Sequence, residues 1–101
     1  MLKVEKTEKD EGVYFDLIGE LDMHTGGILD NLLQKEDMTN IKKLVFVLSK
    51  LNFIDSTGIG QLIRYYREYA GQDVEVVIDN ENDDIEEVLE LIGLRQIIQD
   101  D

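Results

Sequence analysis

The chain has 101 residues, enough for a single domain over 1–101 and too few for two. Its 23 acidic and 10 basic side chains leave a formal charge of −13, which repels nucleic acid and anionic membranes and steers in partners with a basic docking face. There is no cysteine, so disulfides, thiolate metal sites and cysteine nucleophiles are excluded.

Charge also begins at the third residue of Met1-Leu2-Lys3-Val4-Glu5, unlike a signal peptide. The longest apolar run, Leu44 to Leu48, is far short of a membrane span. A soluble, cytoplasmic protein is expected, and its acidity is explained most simply as an aid to solubility.

Leu2 and Val4 alternate with polar residues and predict a short edge strand. Lys9-Asp10-Glu11-Gly12 reads as a turn with glycine available for positive φ, returning into a strand over Val13 to Gly19. Thr25 can cap a first helix whose Ile28, Leu29, Leu32 and Leu33 share a face, although Gly26 and Gly27 weaken its first turn by about 1 kcal/mol each.

Leu44-Val45-Phe46-Val47-Leu48 shows no alternation, as expected of a central strand covered on both faces. From Ser56 the period becomes helical, with Ile59, Leu62, Ile63, Tyr66, Tyr69 and Ala70 in one stripe and Gly71 as a left-handed stop. Val74 to Ile78 predicts another strand. Asp83 with Glu86 fits a capping box opening a third helix, with Ile85, Val88, Leu89 and Ile92 inward. Gly93 closes that helix, Leu94 supplies the apolar contact after it, and Ile97-Ile98 offer a short final strand. The class is α/β, with a mixed central sheet of four to five strands in the order β-β-α-β-α-β-α-(β).

The informative segment is Leu51-Asn52-Phe53-Ile54-Asp55-Ser56-Thr57-Gly58-Ile59-Gly60, between the apolar strand and the second helix. Ligand and partner sites gather at the carboxyl ends of strands in open α/β sheets. Asp55, Ser56 and Thr57 are each competent caps, and a serine in this position is most often only a cap. Gly58 and Gly60 remove side chains, so that another protein could approach the backbone. No nucleophile elbow is present, and the single histidine, His24, reads as a polar loop residue near Asp22. The acids Asp79, Glu81, Asp83 and Glu90 stand near calcium-loop register, but Asp84 replaces the needed glycine and the helical apolar pattern runs through the loop.

Ile54-Asp55-Ser56-Thr57-Gly58-Ile59-Gly60 resembles the Asp-Ser-(Ser/Thr/Ala)-Gly-(Leu/Ile)-Gly signature of STAS domains in bacterial anti-sigma factor antagonists. Gly19-Glu20-Leu21-Asp22, Val74-Glu75-Val76-Val77 and Leu91-Ile92-Gly93-Leu94 extend the resemblance over nearly the whole chain, in order and in register. The resemblance implies a STAS fold and a binding switch, with no enzymatic activity and no cofactor or metal. Ser56 would be the phosphoacceptor of an anti-sigma factor serine kinase, and a serine phosphatase would reset it. Asp22, Asp55, Thr57, Gly58, Ile59 and Gly60 would form the partner surface of a monomer. The other reading is a STAS subunit of another assembly, either a stress-sensing scaffold or the cytoplasmic partner of a membrane transporter. Only Gln99, Asp100 and Asp101 follow Ile98, which leaves no room for the further C-terminal helix of many antagonists.

Overall fold

The computed structural model describes residues 1–94. β1 (Leu2–Lys9) and β2 (Gly12–Leu21) form an antiparallel hairpin in which Lys9 pairs with Gly12. The two turn residues, Asp10 and Glu11, take φ of 52° and 64°. That mirror-image turn matches the natural strand twist, so the positive φ falls on these residues and not on Gly12. β1 is longer than its alternation suggested, because beyond Val4 it is an exposed, charged edge.

β2 pairs in parallel with β3 (Lys43–Ile54), and β3 in parallel with β4 (Glu75–Asp79). The sheet order is β1-β2-β3-β4. α1 (Gly26–Gln34) joins β2 to β3, α2 (Ser56–Ala70) joins β3 to β4, and α3 (Asp83–Ile92) follows β4. The α/β order expected from sequence is met through α3. The optional strand at Ile97-Ile98 and the inward side chain of Ile92 lie outside the described residues.

β3 runs well past the apolar Leu44–Leu48 run. Its register with β2 slips between Asp16 and Ile18 and again between Gly19 and Glu20, and the two strands finish level, Leu21 beside Ile54. Leu51 to Ile54 are therefore strand, and Asp55 alone separates that strand from α2.

Val13, Phe15 and Leu17 of β2, Leu44, Phe46 and Leu48 of β3, and Val76 and Ile78 of β4 bury one face of the sheet. Leu29 and Leu33 of α1, Leu62 and Tyr65 of α2, and Ile85 and Leu89 of α3 complete one core cluster with them. Phe46 lies between Phe15 and Tyr65, at ring-centroid distances of 6.2 and 5.6 Å. Burying each large apolar side chain contributes about 1.5–3 kcal/mol. On the opposite face Val45 is buried but outside this cluster, while Tyr14, Asp16, Val47 and Val77 are half-buried. The apolar run of β3 thus does not mark helical cover on both faces; the buried side chains of the three helices gather on one.

Several helix details depart from the sequence reading. Ile28 of α1 is exposed and Leu32 half-buried, so Leu29 and Leu33 carry its packing. The buried face of α2 is Gly58, Ile59, Gln61, Leu62, Tyr65 and Tyr69; Ile63 and Tyr66 are half-buried and Ala70 is exposed. Gly71 has φ −69°, so α2 does not end on a left-handed glycine; Asp73 takes the positive φ of that turn.

α3 is capped by Asn82, one residue before the expected Asp83. The Asn82 side-chain oxygen accepts the N–H groups of Asp84 and Ile85, and its amide donates to the Leu51 carbonyl at 2.9 Å. That second tie to β3 favours Asn82 over Asp83. Glu86 accepts from the Asn80 amide at 3.1 Å. Gly93 does close α3 at φ 79°, with Leu94 fully buried behind it. α3 begins inside the would-be calcium loop, and no cluster of metal-ligating side chains occurs among the described residues. No helix of the described residues is long and apolar enough to cross a membrane.

Candidate functional site

Parallel pairing brings the carboxyl ends of β2 and β3 side by side, and the Asp55 N–H donates to the Leu21 carbonyl at 3.3 Å. The chain then turns directly into α2. Asp55 has extended backbone and its carboxylate accepts the Gly58 N–H at 2.9 Å, so among three candidate caps Asp55 is the cap. Ser56 becomes the first helical residue. It is exposed, and its hydroxyl makes no hydrogen bond among the described residues. The α-helical geometry leaves the first-turn N–H groups of Ser56 and Thr57 without helical acceptors, a setting that favours an anion.

Asp22 follows β2 as Asp55 follows β3. Its Oδ1 accepts the His24 N–H at 2.9 Å and the Thr25 N–H at 3.2 Å. The His24 amide bond is the largest influence holding the Asp22 carboxyl below the usual carboxylate range; partial desolvation opposes it and the Thr25 bonds reinforce it. His24 is thus a polar loop residue beside Asp22. The Thr25 hydroxyl turns backward, accepting the Asp22 N–H at 3.0 Å and donating to the Glu20 carbonyl at 2.8 Å. Thr25 stands at the N-cap position of α1 without capping it through its side chain.

Asp22, Thr57 and Gly60 share one open cleft of about 410 Å³, bordered also by Met23, Gly27 and Arg64. Gly58 and Ile59 do not reach it. Gly58 is buried, and a Cβ there would stand 2.6 Å from the Leu21 carbonyl oxygen. Its glycine therefore serves the packing of α2 on the end of β2, not the approach of a partner. Ile59 is likewise core. Gly60 differs, since a Cβ there would meet nothing within 4 Å.

Gly26, Asp30, Gln61 and Arg64 line the same cleft and belong to a network that amphipathic patterning missed. Gln61 is buried, and its side-chain amide donates to the Gly26 carbonyl at 2.7 Å and to the Tyr65 hydroxyl oxygen at 2.6 Å. The Tyr65 hydroxyl donates to Asp30, whose carboxylate also takes both bonds of the Arg64 guanidinium at 2.9 and 3.2 Å. Partial burial opposes ionisation of Asp30, but bonds from Tyr65 and Arg64 outweigh it and hold its pKa below the usual value. Burial and the bond to Asp30 push the Tyr65 phenol upward. The one available sequence signal was Gln61 and Tyr65 at i and i+4, opposite the glycines of α1.

An exposed serine at the start of α2, with its hydroxyl unengaged among the described residues, stands next to Thr57, which lines a cleft at the carboxyl end of a small mixed α/β sheet. The chain belongs to the STAS domain family, whose sequence profile matches residues 3–100. It is 26% identical over 97 residues to the anti-sigma-B factor antagonist of Staphylococcus aureus, covering 96% of this chain and 90% of that protein. Its fold is similar to that of an anti-sigma factor antagonist from Mycobacterium paratuberculosis, with a TM-score of 0.85, 21% identity, and coverage of 98% of this chain and 84% of the other. The Bacillus cell fate determinant SpoIIAA in its phosphorylated form is also similar, with a TM-score of 0.66, 23% identity, and coverage of 100% and 91%.

Proposed function

We propose that this single STAS domain is a cytoplasmic anti-sigma factor antagonist, working as a monomer. In this reading it binds an anti-sigma serine kinase while Ser56 is unmodified and lets go once Ser56 is phosphorylated. It thereby controls the supply of free sigma factor by binding, without turnover of its own, and a serine phosphatase restores the binding form. The observation that carries the reading is the exposed Ser56 hydroxyl, which makes no hydrogen bond among the described residues while Asp55 performs the capping. The similarity to antagonists over nearly the full chain supports the choice of partner class.

The docking surface is drawn from Asp22, Asp55, Ser56, Thr57 and Gly60. Gly58 and Ile59 are omitted because both are buried. Phosphorylation adds about 1.5–2 negative charges. The start of α2 tolerates that charge, so the domain stays folded. A partner surface fitted to a neutral hydroxyl would instead meet bulk and a desolvated anion next to the Asp55 carboxylate, at a cost of several kcal/mol.

Incubating the chain with purified anti-sigma serine kinases of the same cell and ATP, followed by mass spectrometry, tests this reading. One phosphate on Ser56 is expected, none on Ser56→Ala, and a much weakened complex for Ser56→Asp. Stoichiometric phosphate on Ser56→Ala, or wild-type affinity in Ser56→Asp, sinks it. A stable complex whose lifetime ignores the phosphate would place the domain in a static scaffold or transporter assembly.

A further inference from the structure

α1 begins poorly. Two glycines open it, its first turn has no acidic residue, and no side chain caps it. The bonds from the Thr25 and Gly26 N–H groups to the Asp22 carbonyl tie the turn only to itself. Across to α2, the described first turn of α1 is held by one hydrogen bond, from the Gln61 amide to the Gly26 carbonyl at 2.7 Å. The fit is close, for a Cβ on Gly26 would lie 2.4 Å from Gln61 Oε1.

Position 61 is 7% exposed, in a helix face otherwise filled by Gly58, Ile59, Leu62, Tyr65 and Tyr69. Leucine or methionine there would suit the core without the cost of desolvating an amide. What the amide adds is geometry, because a buried polar group is satisfied in only one arrangement of its neighbours. Here those neighbours are Gly26 and Tyr65, with Asp30 and Arg64 behind them bridging the same two helices a turn later. The network stands against the cleft shared by Asp22, Thr57 and Gly60.

We infer that Gln61 is a positioning residue: it fastens the first turn of α1 to α2, so that Asp22 and Ser56 are presented to a partner as one surface of fixed geometry. The inference rests on the docking surface proposed above and names the residue that sets its shape. It also assigns Gly26 a role, as the glycine that lets the Gln61 amide reach the backbone.

The test compares wild type with Gln61→Met, which keeps side-chain length and loses the donors. Val76→Ala, in β4 of the core, controls for general loss of stability. In Gln61→Met, hydrogen exchange at the Thr25, Gly26 and Ile28 amides is expected to quicken roughly tenfold, beyond any change at Phe15 and Phe46. Affinity for a purified anti-sigma serine kinase should fall by about the same factor, the energy of one or two hydrogen bonds. Val76→Ala should lower the unfolding midpoint and leave both readouts unchanged. If wild type binds no such kinase, the docking reading itself falls. If wild type binds, and Gln61→Met matches it in exchange, or exchanges faster without losing affinity, only the positioning role of Gln61 is overturned.

Discussion

The Asp55 carboxylate accepts the Gly58 N–H at 2.9 Å and thereby spans Ser56 and Thr57, leaving both outside the cap. Neighbouring residues that sequence treats as interchangeable therefore have separable roles. Asp55→Ala should cost about 1 kcal/mol of stability, and Ser56→Ala should change it by less than about 0.5 kcal/mol. Urea unfolding of the two variants checks this, and equal losses would show that the capping is shared.

The glycines two residues apart in α2 should respond oppositely. Gly58→Ala pushes a methyl against the Leu21 carbonyl and the Leu21 and Ile54 side chains. The backbone must yield, at a net cost of about 1–3 kcal/mol. Gly60→Ala meets open space in an exposed helical position and should add about 0.5–1 kcal/mol. Thermal midpoints should move down for the first and up for the second, while kinase binding weakens for Gly60→Ala despite its firmer fold.

Asp30 carries a pH signature. Its folded pKa is depressed below the ordinary 3.8, with partial burial opposing and the Tyr65 and Arg64 bonds prevailing. Such a group adds stability that is complete above its unfolded pKa and disappears as pH falls through the lower folded value. The stability gap between wild type and Asp30→Asn should be constant near neutrality and shrink below about pH 4. Urea midpoints at neutral and strongly acidic pH measure it; a gap that widens in acid contradicts the assignment.

Asn82 and not Asp83 should matter for α3. Asn82→Ala removes the cap and the bond to Leu51, costing about 1–2 kcal/mol, while Asp83→Ala should cost only about 0.3–1 kcal/mol through the helix dipole. Helicity by circular dichroism and chemical unfolding separate the two.

Capture of a basic partner by a chain of charge −13 should be sensitive to salt through its approach. Raising sodium chloride from about 50 to about 500 mM should slow association about tenfold or more, with a smaller change in dissociation. Stopped-flow mixing with the kinase reads both rates; an association rate indifferent to salt would remove electrostatic steering from the account.

The alternation of strand and helix was legible because each apolar stripe declares its own period, and Gly93 with Leu94 marked the end of α3 correctly. The extent of β3 was not. Its slips against β2 break the alternation through Ser49 to Asn52, so pairing there depends on a strand some thirty residues earlier. The motif around Ser56 was visible as a candidate, but Asp55, Ser56 and Thr57 are all good acceptors and only the path of the chain selects one. Gln61 was invisible for a related reason. Its partner Gly26 lies 35 residues away, and helical periodicity registers a polar residue without saying whom it meets.

The turn at Asp10 and Glu11 opens a route for engineering. Both residues hold backbone angles that Asn and Gly adopt more readily, so Asp10→Asn with Glu11→Gly should tighten the hairpin. That edit lies in the β1–β2 connection, away from the strand ends that carry Asp22 and Ser56. A builder wanting a hardier version of this domain can therefore work at the hairpin and leave Gly27 and Gly60 alone, because both line the cleft beside the proposed docking surface and toughness gained there would reshape it.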